Sequence, residues 1–139
     1  MSIRSLAISA IVVLALPTLG FALEDPVNVD NELATKLGMI VRAKAAGPDA
    51  VSVELEFPTT GDLKGYTGTT VEIKSGKKLL FYSTLRDEPS QPGHVVVNFH
   101  LDRSRLPETT LKVTSRGDAL TRVGYILALK DFVDLDKVR

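Results

Sequence analysis

The chain has 139 residues, no cysteine, no tryptophan and equal numbers of basic and acidic side chains, 17 of each. That length suits one compact domain, and the absence of cysteine excludes a disulfide framework and a cysteine-borne lipid. Balanced charge excludes a general attraction to nucleic acid or anionic lipid, so neither is expected as a partner.

Residues 1–22 read as a signal peptide. Arg4 precedes an apolar run from Leu6 to Leu16 broken only by Ser9, and Pro17 ends the run. Gly20 and Ala22 then supply the small residues of a cleavage site before Leu23. An uncleaved anchor is the competing reading, because Ser5 to Leu23 is nearly long enough to span a bilayer. Cleavage would leave 16 basic against 17 acidic residues. The expected location is secreted or periplasmic, with no membrane contact after cleavage.

Residues 23–36 form an N-terminal segment in which DNELATKL predicts about two helical turns capped by Asp30. From residue 37 to 139 the dominant period is two, the mark of strands with one face on a core. LGMIVRAKA places Leu37, Met39, Val41 and Ala43 inward, and AVSVELEF does the same for Val51, Val53, Leu55 and Phe57. TTVEIK contributes Val71 and Ile73, and KLLFYSTL is expected to turn Leu79, Phe81 and Leu85 inward. HVVVNFHL predicts a central strand with Val95, Val97, Phe99 and Leu101 in the core. DRSRL predicts one helical turn before Pro107. TLKV then adds Leu111 and Val113, and RVGYILAL adds Val123, Tyr125, Leu127 and Leu129.

Turn-forming stretches separate these runs about every ten residues, which predicts an all-β, seven-stranded antiparallel β-sandwich. No repeat or linker divides it. The strand number and spacing resemble the immunoglobulin and fibronectin type III sandwiches. The chain departs from them in lacking a tryptophan and a cysteine pair, and Tyr125 falls within the last strand. The resemblance implies an architecture and no family. Alternating strand directions would bring the connections 58–68, 86–93 and 116–121 to one end. Those around 46–49, 75–77 and 102–109 would lie at the other. The first set holds most of the loop glycines and prolines, so it is the expected binding end.

Two strings in that set resemble known recognition loops. Pro58-Thr59-Thr60-Gly61 is similar to the Asn-Pro-Thr-Thr-Gly loop of the chagasin-like cysteine-protease inhibitors, which would imply entry into a protease cleft. Phe57 stands where the asparagine would be, and neither a Gly-x-Gly-Gly stretch nor an Arg-Pro-aromatic triplet accompanies it. Arg116-Gly117-Asp118 resembles the integrin-binding loop of fibronectin type III adhesion domains, which would imply an adhesion ligand. Ala119 replaces the serine that usually follows, and Gly117-Asp118 is also ordinary hairpin-turn chemistry. Shaping a long inter-strand turn is the plainer role of the PTTG string. Tyr66 is the aromatic expected either to anchor a partner or to cover the end of the core.

No catalytic, cofactor or metal site is expected. His94 and His100 lie about 20 Å apart along one strand, too far to share a metal or act as a pair. Asp25, Asp30 and Glu32, then Asp87 and Glu88, then Asp131, Asp134 and Asp136 lack EF-hand spacing and read as solvated loops and a charged tail. A calcium site built from two loops stays open. Nucleotide-binding and nucleophile-elbow motifs are absent from the sequence. The expected function is an exported, non-catalytic binding or accessory module for a protein or glycan partner. The alternative is a peptidase inhibitor or adhesion ligand acting through the three loops.

Overall fold

Apolar side chains at every second position build two sheets around a single core. The computed structural model describes residues 25–59, 70–85, 92–116 and 122–138. The expected signal segment, residues 1–22, lies outside them. Eight strands are described. They are β1 (Val27–Asn28), β2 (Ile40–Ala45), β3 (Ala50–Pro58), β4 (Thr70–Ser75), β5 (Lys78–Thr84), β6 (His94–Asp102), β7 (Thr109–Arg116) and β8 (Arg122–Ala128). One helix, α1 (Asn31–Leu37), and two 3-10 turns, Arg103–Glu108 and Leu129–Asp131, complete the elements. Strand order is β1-β8-β7-β4-β5 in one sheet and β2-β3-β6 in the other.

The chain is therefore all-β, but with eight strands where seven were expected. The extra one, β1, is only two residues long and runs parallel to β8. A strand that short shows no alternation, so nothing in its sequence announces it. The other pairings are antiparallel.

Inner residues of both sheets join in one cluster. Val51, Val53, Leu55 and Phe57 of β3 and Val95 and Val97 of β6 share it with Val71 and Ile73 of β4, Leu111 and Val113 of β7, and Leu127 of β8. Phe99 is a correction. It is half-buried against this cluster, because β6 is an edge strand of its sheet and not the central one.

Helix α1 forms as the sequence suggests. The Asp30 carboxylate accepts a hydrogen bond from the Leu33 amide at 2.8 Å, satisfying one of the free donors of the first turn. Gly38 ends the helix at φ 71°, a left-handed conformation that L side chains rarely adopt. A Cβ there would also stand 3.0 Å from the Pro58 ring. Ala34 and Leu37 are buried, so α1 belongs to the core. Asp30→Ala is expected to lower stability by about 1 kcal/mol, read as a shift in urea midpoint with unchanged slope.

The C-terminal residues are a second correction, being a packed segment and not a solvated tail. Val133 and Val138 are buried in the core cluster. One guanidinium nitrogen of Arg103, Nη2, donates to the carbonyl oxygens of Leu135 and Val138, each at 2.6 Å. The aspartates of this stretch do face water, and a hydrogen bond from Lys137 and one from the Asp136 amide hold the Asp134 carboxyl below its usual pKa.

Candidate functional site

Strand direction sets what each end of the fold carries. Pro58 closes β3 opposite His94, which opens β6. Thr70 opens β4 opposite Thr84 of β5 and Thr114 of β7, while Arg116 of β7 faces Arg122 of β8. The segments between these residues thus leave from one end of their respective sheets. At the other end, the Arg103 amide donates to Asp49 at 2.8 Å and the Gly76 amide to Glu108 at 3.0 Å. Ser75 Oγ also donates to the Glu108 carboxylate.

Most of the loop site expected from the sequence falls outside the described residues. This applies to Thr60, Gly61, Tyr66, Gly117 and Asp118, and to the greater part of 58–68, 86–93 and 116–121. Pro58 is described as the last residue of β3, and the Thr59 amide donates to the Gly93 carbonyl at 2.7 Å. The Arg116 backbone continues β7 to its pairing with Arg122.

The outer face of the three-stranded sheet is polar and charge-compensated. Arg42 on β2 donates to Glu54 and Glu56 on β3, both at 2.7 Å. These bonds, the one to Glu56 foremost, raise the Arg42 pKa above its ordinary value. His94 Nδ1 stands 3.5 Å from Glu56 Oε1, beyond good hydrogen-bond geometry. Among the described residues, no group of three or more histidines and carboxylates is placed to hold a metal ion. A groove of about 550 Å³ opens beside the packed C-terminal segment, lined by Asn31, Pro107, Asp131 and Phe132 among others.

The surface that sequence reasoning missed is β5. Phe81 pairs with Ile73 and so occupies the inner face, as expected, and Ser83 joins it opposite Val71. Between Phe81 and Leu79, however, the register shifts by one residue, and Leu79 pairs with Lys74. Leu80 is the extra residue of a β-bulge, and it transfers Leu79 to the outer face. Of the expected inward set of Leu79, Phe81 and Leu85, Leu79 is thereby corrected to the outer face. Leu79 is 51% exposed, Leu80 37%, Phe81 46% and Tyr82 60%. Leu85 is half-buried against the core.

Even the inner face of β5 stays wet because the sheets differ in width. The larger sheet has five strands and the smaller three. Full burial is found on β4, β7 and β8, whereas no residue of β5 is buried. β5 overhangs its cover. Its outer side pairs with no described strand, so backbone donors and acceptors line an apolar edge. The sequence signal was present in Leu79-Leu80-Phe81-Tyr82, four large apolar residues in succession where the neighbouring strands alternate.

No family model, curated protein or solved structure matches the chain. Among the described residues, no helix is long and apolar enough to cross a membrane.

Proposed function

We propose that the chain is an exported, non-catalytic binding or accessory module that engages its partner along the β5 edge. The observation that carries this reading is the run of four exposed apolar residues on an unpaired strand. Native edge strands are commonly guarded by charge, proline, a bulge or short length, and β5 keeps its four exposed apolar residues beside Lys78 at its start and the bulge at Leu80. An apolar patch retained at such an edge marks an interaction surface. Main-chain hydrogen bonds would supply affinity and the alternate side chains specificity.

The finer fold assignment belongs to the same proposal. With β1 set aside, the first, second and fifth strands share one sheet and the remaining four share the other. That distribution, with three connections crossing between sheets, supports an immunoglobulin- or fibronectin III-like sandwich. Export rests on the character of residues 1–22. Intact-mass measurement of the exported protein should find a chain beginning within about two residues of Leu23. A full-length chain held in the membrane would make this an anchored protein.

The experiment for the binding role is the native size of the protein in an extract of the exporting cell. The wild-type chain should run well above monomer size, and Phe81→Asp should return it to monomer. A wild-type chain already monomeric in that extract would refute the β5 reading. The loop end would then be left as the second reading, favoured by the strand directions that gather its flanks. Titration against a cysteine protease and cell adhesion with Asp118→Glu as control would test it.

A further inference from the structure

We propose that the outer face of the three-stranded sheet holds a small carboxylate-bearing molecule in a hollow over Ser52. The site is separate from β5 and goes beyond the binding reading above. It arises from side-chain length. Pairing sets Lys44, Ser52 and His100 in one row across β2, β3 and β6, with Arg42, Glu54 and Asn98 in the next. Neighbours across a row stand about 5 Å apart at Cα. A serine among these longer side chains leaves a hollow of about 360 Å³, lined by Arg42, Ala43, Lys44, Ser52, Glu54 and Asn98. Ligand sites run from roughly 300 to 1,000 Å³, so this one suits a small molecule and not a protein segment.

Ser52 is the observation that points to a ligand. It is only 9% exposed, yet its hydroxyl makes no hydrogen bond to any described residue. Buried polar groups are normally paired, and an unused hydroxyl on the floor of a hollow is a recognition group.

Its neighbours set the charge of the ligand. Arg42 is already taken up by Glu54 and Glu56. Lys44 is exposed and forms no ion pair with a described carboxylate, and the Asn98 amide is likewise unused. The free donors are thus an ammonium, a hydroxyl and an amide, one from each strand, lining one hollow. An ionised carboxylate accepts from all three and gains most from the charged one. Two cations of the lining, Arg42 and Lys44, stand against one carboxylate, Glu54, a formal balance of +1 that matches a monoanion. A phosphate dianion would leave surplus negative charge beside Glu54. No phenylalanine or tyrosine lies on this face of the paired strands to stack against a neutral sugar ring.

Backbone-amide NMR titration of the purified exported protein tests this, with glucuronate, gluconate, glucose and inorganic phosphate as probes. At least one of the two acids should shift Lys44, Ser52 and Asn98 saturably, and glucose should not. Preference for glucuronate, the ring acid, assigns the source to an acidic glycan, and preference for gluconate to a free hydroxy acid. Lys44→Met should weaken binding at least about tenfold, because it removes the one charge-assisted bond. Ser52→Ala should weaken it several-fold while the rest of the spectrum stays native. Lys77→Met, in the exposed turn between β4 and β5, should leave binding unchanged. Shifts from neither acid, equal shifts from glucose, tighter binding of phosphate, or equal loss with Lys77→Met would each overturn the assignment. None of these results bears on β5, whose test is native size.

Discussion

Phe57→Ala should destabilise the domain by about 3–5 kcal/mol, enough to unfold a marginally stable fold. Among the described residues, Phe57 is the largest fully buried side chain and sits on β3, the one described strand of its sheet with neighbours on both sides. Its removal leaves a cavity that neither flanking strand can close without breaking register. Phe99→Ala, on edge strand β6, should cost about half as much, because part of that ring already faces water. Phe81→Ala should cost the isolated monomer no more than about 0.5 kcal/mol. Urea unfolding in dilute solution, where β5 is unoccupied, would give all three values. Equal losses at Phe57 and Phe81 would mean that β5 is covered and the overhang does not exist.

Arg103→Ala should cost about 2–3 kcal/mol, since it removes two charge-assisted hydrogen bonds to carbonyls that are partly shielded from water. The effect is long-range in sequence and local in space. Arg103 ties the turn after β6 to the last residues of the chain, which in turn hold Val133 and Val138 in the core. Arg105 is the natural control. It pairs with Asp102 at 3.3 Å on the surface, and Arg105→Ala should change stability by no more than about 0.5 kcal/mol. Deleting residues 135–139 in the Arg103→Ala background should cost much less than in the wild type, because the two changes break the same contact. Additive losses would show that Arg103 stabilises something other than the C-terminal segment.

What the sequence disclosed was whatever depends on alternation. β3, β4 and β7 each carry a clean apolar-polar period, and their inward residues lie in the core as expected. Helix α1 was legible from Asp30 and the short run behind it. What it concealed depends on neighbours. Whether Phe99 is central or peripheral is decided by which strands flank β6, and pairing order leaves no mark within HVVVNFHL. The fate of the C-terminal segment is set by an arginine some thirty residues away, with no local signal in between. β5 failed for a different reason. An unbroken apolar run fits a fully buried strand as well as an overhanging one, and only the unequal width of the sheets decides between them. The loop site rested on strand directions alone, and Tyr66 and Gly117-Asp118 lie outside the described residues.

The central claim is that this protein meets its partner along β5 and not through its loops. Site-specific photo-crosslinking in the cell addresses it most directly, with the reactive residue placed at Tyr82 in one strain and at Tyr66 in another. The account predicts a discrete crosslinked species from position 82, lost on Phe81→Asp, and none above background from position 66. A species from position 66 alone, indifferent to Phe81→Asp, would contradict it.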